Sequence, residues 1–86
     1  LYWVAHLYFR LEMYDKALKE FSRVLEYAPD LYDGYFFLGK MAAKRKDFKS
    51  AVEMFEKTLA LNPDFLPAEK ELKMSKMLAG FRVVHA

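Results

Sequence analysis

The chain has 86 residues, 55% hydrophobic and 17% aromatic, which excludes a disordered segment and allows one small domain. Its 14 basic and 12 acidic residues leave a net charge of +2, too weak a bias to select nucleic acid or an anionic membrane as partner. Cysteine is absent, so disulfides and thiolate metal sites are excluded; the compartment stays open, with a cytoplasmic setting the working expectation.

The longest apolar stretch, Leu1 to Phe9, is interrupted by His6 and falls far short of the ~20 residues that span a bilayer. The first residue is not Met, which points to a fragment or a processed product. From Leu1 to about Glu12, Val4, Leu7 and Leu11 recur at spacings of three and four, the pattern of one helix face. A second helix is predicted from about Tyr14 to Tyr27, with Ala17, Leu18, Phe21, Val24 and Leu25 as its apolar stripe. Pro29 ends it, because proline disfavours the α conformation in the residue before it.

A third helix, about Tyr32 to Lys44, carries Tyr35, Leu38, Gly39 and Ala42. Glycine inside a helix costs ~1 kcal/mol against alanine, so Gly39 implies close approach of a bulky neighbour such as Phe55 or Val52. Asp47 is a suitable N-cap for a fourth helix, Phe48 to Leu61. A fifth starts near Pro67, a residue fitted to a first turn, and is expected to stop at Gly80. Residues 81–86 read as a tail.

The second and fourth helices share a register. Ala17/Ala51, Phe21/Phe55, Leu25/Leu59, Pro29/Pro63 and Asp30/Asp64 are identical pairs 34 residues apart. A fixed period of this length marks a helical repeat array. In detail, Tyr35-x2-Leu38-Gly39-x2-Ala42, Ala51-x3-Phe55 and Pro63 follow Leu1-x2-Val4-Ala5-x2-Tyr8, Ala17-x3-Phe21 and Pro29. This pattern resembles the tetratricopeptide repeat family. Departures are Leu1 for the bulky aromatic, Ala5 for glycine, Ala42 for tyrosine, and Lys46 where the inter-helix turn often has glycine. The resemblance implies an all-α, right-handed solenoid of antiparallel helix pairs with about five helices. Its units would be residues 1–31, residues 32–65, a capping helix over 66–80 and the tail.

The two ends of such an array differ. Glu69, Lys73 and Lys76 stand 34 residues after Tyr35, Gly39 and Ala42, and burying them unpaired would cost several kcal/mol. The last helix is therefore expected to be a solvated cap that rests on its predecessor through Ala68, Leu72 and Ala79. At the other end Val4, Leu7 and Leu11 would lie exposed together, which marks a second interface, covered by further repeats or by a partner chain, self-association included.

The resemblance also implies a concave groove for extended or helical peptides. By register it would contain Tyr2, His6, Phe9 and Arg10, then Phe36, Lys40, Ala43 and Lys44, then Lys70, Met74 and Met77. Aromatic, methionine and basic side chains without an acidic member suit an amphipathic partner of acidic character. Family members that clamp chaperone C-termini use lysines and asparagines; Tyr2, His6, Phe37, Pro67 and Glu71 occupy the matching positions, so that ligand is not expected.

Other signals are weaker. Lys44-Arg45-Lys46 with Lys49 reads as a solvated turn near a helix C-terminus rather than a nuclear signal. His6 and His85 lack carboxylate or histidine partners at metal-ligand spacing, and no nucleophile–base or phosphate-loop motif occurs. No catalytic residue, metal or cofactor is assigned. Trp3 reads as a core or interface anchor, with packing the favoured role. Met74, Met77, Leu78 and Phe81 form an apolar edge, either a further interface or a seat for the tail. The expected function is a non-enzymatic protein-interaction module, with a structural self-assembly element or a regulatory module of a larger enzyme as the alternatives.

Overall fold

Five helices follow one another in the computed structural model, which describes residues 2–84 and the side chains of residues 2–80. They are α1 (Tyr2–Arg10), α2 (Tyr14–Tyr27), α3 (Tyr32–Lys44), α4 (Phe48–Leu61) and α5 (Leu66–Val84). No strand occurs among the described residues. Each helix packs on its neighbours in sequence, and α5 also reaches α3. The resulting slab measures 41 × 27 × 18 Å, as expected of units stacked along one direction.

The turns repeat with the sequence. Glu12 N–H donates to the Phe9 carbonyl at 3.0 Å and Met13 N–H to the Tyr8 carbonyl at 2.9 Å. One period later, Lys46 N–H donates to Ala43 and Asp47 N–H to Ala42, both at 2.9 Å. These are Schellman closures, and the residue that must turn left-handed is Glu12 (φ 59°) in one and Lys46 (φ 62°) in the other. The closure ends α1 at Arg10, slightly before the predicted boundary. Asp47 caps α4 as the sequence predicts, accepting from Ser50 N–H at 3.3 Å. At the exits, Ala28 N–H donates to Val24 and Asn62 N–H to Thr58, at 2.9 and 2.8 Å. Leu31 N–H to the Ala28 carbonyl and Phe65 N–H to the Asn62 carbonyl then repeat the same turn into α3 and α5.

Two clusters form the core. Ala5, Ala17, Phe21 and Met41 are buried in the first; Phe36, Ala51, Phe55 and Ala68 in the second. Phe37 packs against both and stacks flat on Phe21, ring centroids 5.5 Å apart. The neighbour that Gly39 implied is Phe55: a Cβ on Gly39 would lie 2.6 Å from the Phe55 ring.

Ala68 and Ser75 of α5 are buried, while Glu69, Lys73 and Lys76 face solvent. Their partners are surface ion pairs, Lys73–Glu69 and Lys76–Glu56, each 3.8 Å. Gly80 does not stop α5, which runs on to Val84. No described glycine adopts a left-handed φ, and one helical glycine costs only ~1 kcal/mol. Residues 81–84 of the expected tail are thus helical, and 85–86 lie outside the described residues.

Candidate functional site

The surface between α3 and α5 holds two adjoining hollows. Lys40 and Glu71 line both and pair at 3.5 Å, so they form a polar divider. On one side, Ala43, Lys44, Phe48 and Met74 enclose about 250 Å³; on the other, Phe36, Leu66, Pro67 and Lys70 enclose about 360 Å³. The Lys40 ammonium also sits 5.7 Å from the Phe36 ring centroid. Lys44 and Lys70 are exposed and, among the described residues, have no carboxylate within ion-pair distance.

This geometry brings together Lys40, Ala43, Lys44, Lys70 and Met74. Met77 stands 71% exposed one turn further along α5. Phe36 is only 8% exposed: its ring meets Phe65 at 5.1 Å and Phe55 at 5.8 Å, and it floors the groove from within the core. The expectation of a groove without an acidic member does not hold, because Glu71 stands at its centre. Glu71 is one period after Phe37, a packing position, so register alone points it away from the groove; the Lys40 ammonium across α3 draws it in.

The α1 residues form a separate aromatic cluster. His6 lies edge-on to Tyr2 (4.4 Å), Phe37 (4.6 Å) and Phe21 (5.3 Å), and Phe9 lies edge-on to Phe37 (5.1 Å). These side chains are half-buried, and Arg10 alone of the predicted α1 groove residues is exposed. The Tyr2 hydroxyl is buried beside the Asp33 carboxylate and makes no hydrogen bond of regular geometry. That burial, reinforced by the Asp33 carboxylate, pushes the Tyr2 phenol well above its ordinary pKa.

The outer face of α1 is open. Trp3 is 69%, Leu11 59% and Leu7 44% exposed, with Val4 half-buried beside them. Trp3 is therefore a surface side chain and not the packing residue expected. Leu78 of the apolar edge on α5 is also exposed, whereas the Phe81 side chain and His85 lie outside the described residues. Among the described residues no helix is long and apolar enough to cross a membrane.

The family model for the tetratricopeptide repeat matches residues 1–31 and 32–65. The chain belongs to the tetratricopeptide repeat family. Among curated proteins, tetratricopeptide repeat protein 17 of Rattus norvegicus is 26% identical over 70 residues, which cover 81% of this chain and 6% of that protein. Tetratricopeptide repeats are generally protein-interaction modules and typically non-enzymatic. The matched units meet between residues 31 and 32, at the Leu31 turn that separates α2 from α3.

Proposed function

We propose that this chain is a non-enzymatic interaction module that holds a partner peptide or helix in the groove between α3 and α5. The observation that carries the reading is the pair of open hollows on either side of Lys40–Glu71, with Lys44 and Lys70 unpaired above an apolar floor. Carboxylates of an amphipathic partner would meet those two lysines, and its apolar side chains would meet the exposed Met74 and Leu66 above the buried Phe36 ring. Lys44→Glu with Lys70→Glu should preserve the helical circular dichroism, because both side chains are exposed. Capture from cell lysate by wild type and the double variant tests the reading. Loss of specific partners by the variant supports it; identical partners for both refute it.

The open α1 face favours a second use, assembly with another protein surface or with a second copy through Trp3, Leu7 and Leu11. Light scattering decides this: a concentration-dependent dimer that Leu7→Glu abolishes is expected if the face assembles copies of the chain, and a monomer at all concentrations rules that out.

A further inference from the structure

A cleft of about 340 Å³ lies on a different side of α3, among α2, α3 and α4, and shares no lining residue with the groove. Leu18, Leu38, Met41, Ala42 and Met54 form its apolar wall, and Arg45, Asp47 and Ser50 its polar rim. The 34-residue register says what occupies the matching place in the first unit. Ala42 matches Tyr8, and Ser50 matches Lys16. The Tyr8 ring packs half-buried against the first core cluster, with the Lys16 ammonium 5.8 Å from its centroid. The backbone at the two positions is fixed alike: the Tyr8 and Ala42 carbonyls each accept the Schellman hydrogen bond at 2.9 Å. The units therefore differ at this point by a side chain. One supplies its own phenol ring, and the other leaves a methyl group and a space.

We propose that the cleft beside Ala42 receives one tyrosine-like aromatic side chain from a partner protein, on a surface additional to the groove. The volume exceeds the ~150 Å³ apolar cavity that suffices for benzene, so a phenol ring fits with room left for the partner chain that carries it. The wall chemistry also fits, since methionine sulfurs at Met41 and Met54 make favourable contacts with aromatic edges. The rim can hydrogen-bond a phenolic hydroxyl through the Ser50 side chain or the Asp47 carboxylate.

The probe is p-cresol, the tyrosine side chain as a free molecule, followed through the methionine methyl signals in carbon–proton correlation spectra. Saturable shifts of Met41 and Met54 are expected in the wild type. They should vanish in Ala42→Tyr, which refills the space as Tyr8 does in the first unit and should raise the thermal midpoint. Leu18→Glu, at a side chain already 37% exposed, keeps the test decisive if Ala42→Tyr does not fold. A carboxylate in the wall should weaken p-cresol binding by about tenfold or more. No saturable shift in the wild type, or an unchanged one in Leu18→Glu, overturns the proposal. Equal binding of 4-methylcyclohexanol overturns its aromatic part. Met54 shifts that follow protein concentration alone, and that are abolished by Tyr27→Ala at the 87% exposed tyrosine ending α2, would assign the cleft to a second copy instead of a partner protein.

Discussion

The two repeat units share a backbone and divide their packing differently. The Schellman and exit-turn hydrogen bonds recur one period apart, and Ala17 with Phe21 and Ala51 with Phe55 are fully buried in both. In the first unit the facing helix offers Ala5 and Tyr8; in the second it offers Gly39 and Ala42. Gly39 lets the Phe55 ring lie where a Cβ would have to be, and Ala42 leaves the neighbouring space empty. The same scaffold thus tolerates a filled flank in one unit and an open cleft in the next, because the repeat fixes the anchors and leaves the flanks free. Variation at the flanks is where a repeat protein can acquire a binding feature without losing its fold.

The anchors should show the largest effects. Phe55→Ala and Phe21→Ala each remove a fully buried ring and should cost ~3–5 kcal/mol in urea unfolding. Equal losses would confirm that the units are equivalent at their centres. A difference beyond ~1 kcal/mol would show that the cavity at one site collapses more readily than at the other. Gly39→Ala comes next. The displaced atoms belong to a buried aromatic ring, so overpacking of ~1–3 kcal/mol should outweigh the ~1 kcal/mol of helix propensity gained. In a Phe55→Leu background the same change should turn neutral or stabilising, and a cost that persists there would separate Gly39 from Phe55. At the matched position Ala5→Gly should cost ~1–2 kcal/mol, the helix-propensity difference plus the loss of a fully buried methyl group.

How far the sequence could be read follows from the same division. The five helices, the Asp47 cap and the Gly39–Phe55 contact were all legible, because each rests on a local rule or on periodic identity. The solvated side of α5 followed from three charges at positions that are apolar or small elsewhere in the register. The groove was legible in part. Phe36 and Lys40 are one helical turn apart on α3, and periodicity assigns them one face; yet α5 crosses close enough to bury one and leave the other at the rim. Glu71 was missed because its register partner Phe37 is a packing residue, and the pull of a charge across a helix pair is not periodic. The cleft left a signal in the sequence, the change from Tyr8 to Ala42, but a missing side chain does not show whether its neighbours close over the gap.

Smaller effects should appear at the turns. Glu12 and Lys46 hold a left-handed conformation that L-residues adopt at a cost of roughly 1–2 kcal/mol and glycine adopts freely. Lys46→Gly should therefore stabilise the protein by up to ~1 kcal/mol after the entropy of glycine in the unfolded chain is subtracted. Glu12→Gly should do the same, since the two closures have matched hydrogen bonds. A gain at one turn alone would mean that its twin is relaxed by another contact.

The smallest predicted effect separates the units by pH. Asp47 caps α4, while its counterpart Met13 gives α2 no side-chain cap. Hydrogen bonding from Ser50 lowers the Asp47 pKa below its ordinary value. A depressed carboxylate contributes stability that is present above the unfolded-state pKa and fades as pH falls through the folded-state pKa. The contribution should therefore be full near neutrality and decline in the acid range below about pH 4. Asn at this position still caps but does not titrate. Urea midpoints of wild type and Asp47→Asn, followed from neutral to acid pH, should thus differ by an amount that changes only in that range. Hydrogen exchange at the Ser50 amide should follow the same curve, while amides in the first turn of α2 should show no matching step. Parallel midpoint curves for the two proteins across the whole range would mean that the carboxylate charge adds nothing to the cap beyond what a neutral amide supplies.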